Sequence, residues 1–123
     1  MLNDPGQHHG LYNTRTSLIA SHVELAVDSE SRRRGLLGRD TFAAGSALII
    51  APCSSIHTFF MRFDIDVVFV ARDGRVLKTC STIPPWRIAF SMGAFAAIEL
   101  PADTLARAET RTGDILTLAF QDG

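Results

Sequence analysis

The sequence predicts a mainly β (α+β) fold: a single-domain β-sandwich or partly closed barrel of about seven short strands with one packed helix. Three observations predict it. Apolar runs of strand length recur from Ile19 to Phe120. Turn signals part them, most clearly Asp73-Gly74 and Gly113-Asp114. One stretch alone, Asp28 to Gly38, carries clear signals for both ends of a helix.

Residues 1–14 hold Pro5, Gly6, Gly10 and two histidines with little that is apolar. They read as a flexible N-terminal arm, leaving 15–123 as the globular domain. From about Thr16 the chain turns to strand, with Ile19, Val23, Leu25 and Val27 at odd positions and His22 and Glu24 facing the other way. Asp28 ends that strand and caps a helix over Ser29–Leu37, its carboxylate accepting from the free amide of Glu30 or Ser31. Glu30 near the start and Arg32–Arg34 towards the end suit the helix dipole, and Gly38 supplies the left-handed residue after it. Gly35, inside the helix, costs about 1 kcal/mol against alanine, which close packing on a sheet would explain.

Ala47–Ala51 reads as a short strand buried on both faces and ended by Pro52. Ile56–Met61 and Ile65–Ala71 read as two strands around Arg62–Asp64. Arg75–Ile83 follows the Asp73-Gly74 turn, a type I′ candidate. Pro84-Pro85-Trp86 forces an extended loop, Phe95–Leu100 is a further strand, Pro101 opens a short helix or turn over 102–111, and Ile115–Phe120 closes the chain.

Composition sets the broad class. With 46% hydrophobic and 20% charged residues the 123-residue chain is globular rather than disordered. A net charge of −1, with basic residues scattered except at Arg32–Arg34, argues against a nucleic-acid partner. No apolar run approaches the ~18 residues of a membrane span. The first ten residues, MLNDPGQHHG, are too polar for a signal peptide. Cys53 and Cys80 read as small buried hydrophobes or as a disulfide, and their spacing leaves both open.

Chemistry-bearing residues concentrate in and around Ile56–Val70, where His57, Arg62, Asp64 and Asp66 interrupt the most apolar stretch of the chain. A buried carboxylate needs partners, so Asp66 either accepts backbone amides or pairs with Arg62, or it walls a polar pocket. His57 is its candidate partner. With Phe63-Asp64 as a two-residue turn, His57, Met61 and Asp66 share a face; an odd loop puts His57 and Asp66 on opposite faces. Glu99, between Ile98 and Leu100, poses the same choice: an ion pair with Arg34, Arg39, Arg62 or Arg87, or a pocket wall. Trp86, on its stiff loop, is placed to present its indole to a ligand. His57, Asp64, Asp66 and Glu99 show no HxH, HxxxH or HxxE spacing, so no metal site is expected. No glycine-rich strand-to-helix turn suggests a phosphate-bearing cofactor, and no cofactor is expected. Cys53 precedes His57 by four residues without a nucleophile elbow.

An ordered set of segments resembles the domain-of-unknown-function 192 family of bacteria and archaea. It runs from Arg32–Arg39 (RRRGLLGR) through the ALII strand, His57–Arg62, Ile65–Phe69, the Asp73-Gly74 turn with Val76, Pro84-Pro85 and Ile98–Leu100 to Gly113-Asp114. Asp64 departs from the pattern, standing where proline is more usual. The resemblance implies a compact, mostly β fold with one packed helix and no agreed reaction, substrate or cofactor. It also implies an extracytoplasmic home more than a cytosolic one; the location is left open, periplasmic or secreted if an N-terminal signal has been trimmed, otherwise cytoplasmic. The reading favoured is a non-enzymatic binding or accessory module of the bacterial envelope, its small polar cleft walled by His57, Met61, Asp66, Trp86 and Glu99. The partner is then a small molecule or an envelope protein. The alternative is a small hydrolase or metal-assisted enzyme using His57 with Asp66 or Glu99.

Overall fold

Apart from one acid each, the runs at residues 65–70 and 96–101 have no polar face to offer water. The fold places both in the middle of a sheet that is covered on each side. The structure is a computed structural model and describes residues 7–122. Its elements are β1 (Gln7–Asn13), β2 (Ser17–Ala20), β3 (His22–Ala26), α1 (Ser29–Arg34), β4 (Ser46–Ile50), β5 (Ser55–His57), β6 (Ile65–Val70), β7 (Val76–Ile83), β8 (Ile88–Phe90), β9 (Ala96–Pro101), α2 (Thr104–Ala108) and β10 (Leu116–Asp122).

Five strands form a mixed sheet in the order β3-β4-β9-β6-β7, in which β3 and β4 run parallel and the other neighbours antiparallel. Every residue of β6 and β9 is buried. On one face Val68, Val70, Ala96, Ile98 and Leu100 pack against Leu11, Ile19, Leu105 and Leu116. These partners come from the three-stranded sheet β10-β1-β2 and from α2. On the other face Leu48, Ile50, Val67, Phe69 and Ala97 pack against Leu36, Ile56, Met61 and Ala89. Those come from the turn after α1, from the small β5-β8 sheet and from the loop that follows β5. The result is a layered, mainly β fold of α+β type; no barrel closes among the described residues.

Several local expectations are corrected. Residues 7–13 are not part of an arm. They form β1, which pairs with β10 along its whole length and with β2. Leu11 and Asn13 are both buried. Asn13 Nδ2 donates to Asp114 Oδ2 (2.8 Å), and Arg15 Nε donates to Asp114 Oδ1 (2.9 Å), which holds the Asp114 carboxyl well below the usual carboxylate range. Residues 1–6 lie outside those described. The strand expected from Thr16 to Val27 is two strands in two different sheets, parted at Ser21. Ten strands replace about seven because β1 and β8 are new and the first expected run is divided into β2 and β3.

The helix begins as expected, with the Asp28 carboxylate accepting from Ser31 N (2.8 Å), but it ends at Arg34 rather than Leu37. Gly35 stops it: φ 47° and ψ −124° are a backbone shape that suits glycine and not other residues. Ile56–Met61 and Ile65–Ala71 do not pair with each other either. β5 pairs with β8, whereas β6 lies between β7 and β9. The Asp73-Gly74 turn is not type I′, since Gly74 alone has positive φ (88°) and Asp73 does not.

Gly74 is also where the two main sheets touch by backbone. Leu116 N donates to Gly74 O (2.9 Å), and a Cβ on Gly74 would lie 2.1 Å from the Leu116 carbonyl oxygen. Gly74→Ala is therefore expected to destabilise the fold by more than about 2 kcal/mol, combining left-handed strain with a backbone clash. Urea unfolding checks this; a midpoint equal to wild type would contradict the contact.

Candidate functional site

Register decides the fates of the two buried acids. In the β6–β9 ladder Asp66 stands opposite Leu100 and Val67 opposite Glu99, so the acids project from opposite faces of the sheet. Asp66, fully buried, faces α2 and the end of β7. Its Oδ1 accepts from Thr82 N (2.8 Å) and its Oδ2 from Leu105 N (2.9 Å). Both oxygens are engaged by backbone, and Arg62 pairs with Asp40 instead. Asp66 is a strut that pins the end of β7 and the first turn of α2 to the central sheet.

Glu99 is 3% exposed and flanked on its face by Leu48 of β4 and Val67 of β6. None of its four expected mates holds it. Arg39 makes a bidentate pair with Glu24 (2.8 and 3.1 Å), Arg34 approaches Glu30, Arg62 takes Asp40, and Arg87 Nη1 reaches backbone carbonyls. Glu99 Oε1 has no hydrogen-bond partner among the described residues. Burial pushes its carboxyl up to about 7, with the Arg39 charge opposing the rise.

Glu99 lines a cavity of about 220 Å³ between the central sheet, the α1 turn and β5. Its polar lining includes Arg32, Arg33, Arg34, Cys53, His57 and Glu99; Leu36, Ile50, Ile56 and Met61 supply apolar wall. Arg32 Nε is a second buried polar atom with no partner among the described residues, while Arg32 Nη1 donates to Pro52 O at 3.4 Å. Gly35 brings the chain over the acid, since a Cβ there would stand 3.7 Å from Glu99 Oε1. Cys53 Sγ donates to Ser55 O (3.0 Å), and burial pushes its thiol up, away from a thiolate. Cys53 and Cys80 are both free.

His57 is exposed and its Nδ1 accepts from Phe59 N (3.2 Å), so Nε2 is the ring atom that carries the proton in this arrangement. Its ring stacks on Phe59 (4.9 Å between centroids), which in turn stacks on Trp86 (5.8 Å). Trp86 does not line the cavity. Buried Thr58 holds it aside: Thr58 O accepts from Trp86 N and Met61 N, and Thr58 Oγ1 accepts from Arg87 N and donates to Pro84 O. Trp86 (φ 70°) and the neighbouring Phe60 (φ 65°) are thereby kept in left-handed backbone with their rings exposed.

Of the five residues expected to wall one cleft, His57, Met61 and Glu99 do so; Asp66 and Trp86 do not. The sequence reading missed the arginine block and Cys53 as lining. The available signal was the run of three arginines directly before a glycine, where the helix stops and the chain passes over Glu99. Among the described residues no group of three or more His, Cys, Asp or Glu is placed to hold a metal, and no helix is long and apolar enough to cross a membrane.

A family model described as DUF192, uncharacterized ACR, matches residues 11–118. No curated protein matches the chain. Two solved structures are similar. One, a protein of unknown function from Novosphingobium aromaticivorans DSM 12444, is 21% identical with a TM-score of 0.77, over 89% of this chain and 82% of that one. The other, described as a candidate transcription regulator from Sinorhizobium meliloti 1021, is 24% identical with a TM-score of 0.76, over 90% of this chain and 91% of that one. At these identities the likeness shows the fold.

Two variants separate the acids. Asp66→Ala leaves two buried amides unpaired and is expected to cost roughly 2–6 kcal/mol; calorimetric melting checks it, and an unchanged melting temperature would contradict the strut. For Glu99 the folded state holds its proton up to about 7 against 4.5 when unfolded, so its contribution is full below pH 4.5 and lost as pH rises through 7. Relative to Glu99→Gln, wild type is expected to lose about 3 kcal/mol of stability across that window. Parallel pH profiles of the two proteins would contradict this.

Proposed function

The chain belongs to the DUF192 family, and on that premise we propose that it is a non-enzymatic binding or accessory module of the bacterial envelope, with the Glu99 cavity as its ligand cleft. One observation carries the reading: Glu99 Oε1, buried and without a hydrogen-bond partner among the described residues, belongs to a side chain that lines one cavity with His57, Met61 and Arg32. Leaving such an atom unsatisfied costs about 1–3 kcal/mol. A scaffold without a ligand gains nothing from that cost, whereas Asp66 shows that the same sheet can satisfy an acid with its own backbone.

A binding role is favoured over catalysis by what the reactive groups already do. The Asp66 oxygens are taken up, the Cys53 thiol is shifted towards its neutral form, and His57 Nδ1 is held by Phe59. Of the two pairings a hydrolase could use, His57 with Asp66 is disfavoured because Asp66 projects from the opposite face of the sheet, which leaves His57 with Glu99, both of which line the cavity. The envelope setting rests on the family resemblance, and fractionation of cells making the natural gene product tests it.

The cleft itself is tested by fragment screening with ¹H–¹³C and ¹H–¹⁵N NMR. Ligand-induced shifts are expected to cluster on Leu36, Cys53, Met61 and Glu99. A screen in which these signals stay still, or in which shifts gather only around Trp86, would reject the Glu99 cavity as the site.

A further inference from the structure

We infer that the cleft takes the carboxylate of a small organic acid with an apolar body, its two oxygens received by Arg32 Nε and Glu99 Oε1. The inference rests on the cleft reading above and names its ligand class. Both polar atoms are buried, both lack a partner among the described residues, and both belong to side chains that line the one cavity. Arg32 Nε can only donate, so whatever satisfies it brings an acceptor.

Charge points the same way. Three arginines border the cavity against one carboxyl, so an anion is drawn in and a cation repelled. The remaining wall is apolar, from Leu36, Ile56 and Met61, which suits a hydrocarbon body better than a phosphate or a sugar. The volume is enough for a ring: an apolar cavity of about 150 Å³ holds benzene, and this one measures about 220 Å³.

Glu99 can donate to a carboxylate only when it carries its own proton, as two carboxylates at one site repel. The groups that face it set when that holds. Arg32–Arg34 come from α1, Arg39 from the loop beyond it, Cys53 from the loop after β4 and His57 from β5. Leu48 and Val67 on the flanking strands are apolar, and Cys80 lies one strand further out. With the Glu99 carboxyl near 7, its protonated fraction falls about tenfold between pH 6 and pH 8, and affinity for a carboxylate falls with it.

The test uses three probes that share one ring and differ in head group: benzoate, benzylamine and benzyl alcohol, titrated by NMR into the whole protein at pH 6 and pH 8. Benzoate is ionised throughout. It is expected to shift the cavity signals, to bind about tenfold more weakly at pH 8, and to lose affinity in Arg32→Lys, which keeps the charge without the Nε donor. Glu99→Gln, which keeps a neutral donor, is expected to bind benzoate equally at both pH values. Benzylamine or benzyl alcohol binding in the cavity in preference to benzoate would overturn the carboxylate assignment and leave the cleft standing. Benzoate binding with no dependence on pH in wild type would remove Glu99 from the contact and overturn it too. If none of the three moves a cavity signal the inference is overturned, and the fragment screen then decides the cleft separately.

Discussion

The β6–β9 ladder is the constraint from which the remaining structure follows. Six register pairs, Ile65↔Pro101 to Val70↔Ala96, lie side by side with every residue buried. A strand pair with no wet face must be covered twice. The β10-β1-β2 sheet with α2 supplies one cover; the α1 turn with β5-β8 supplies the other. The second cover is built from short pieces, a six-residue helix and two three-residue strands. Short pieces tile a flat sheet imperfectly, and the gap they leave is the cavity above Glu99.

The same ladder forces both acids indoors and then treats them differently. On the α2 side, the first turn of a helix and a strand end have amides free of their own ladders, and Asp66 accepts two of them. On the other side the heads of Arg39, Arg62 and Arg32 reach elsewhere, to Glu24, Asp40 and the Pro52 carbonyl. One carboxylate is thus a structural fastening and the other a poised group, although the two sit on adjacent strands one residue apart in register.

Much of this was legible from residue patterns. The strands at residues 47–51, 65–71, 75–83 and 95–100 and the cap at Asp28 follow from periodicity and helix-end signals, and Glu99 stood out as an acid set within apolar sequence. What was not legible depended on contacts between distant segments. β1 looks like a tail because its own sequence is polar and glycine-bearing; only pairing with β10 and β2 buries Leu11 and Asn13. The pairing of residues 56–61 with 65–71 was inferred from adjacency in the chain. Hydrogen bonds at Thr58 to residues 84–87 pull β5 away to β8 and leave β6 to its long-range partners. Gly35 was read as a cost within a helix, whereas its positive φ ends the helix and brings the backbone close over Glu99.

The β1–β10 pairing has a consequence for how the molecule is made. Residues 7–13 emerge early in synthesis and residues 116–122 late, yet each is the other's longest partner. A growing chain can assemble β3 to β9 with mostly nearer partners, but the outer sheet stays incomplete until β10 pairs with β1. Until then the greasy side of β4, β6 and β9 that carries Ala47, Val68 and Ile98 lacks its full lid. Whatever separates β1 from β10 therefore uncovers an apolar surface on which copies of the protein can self-associate.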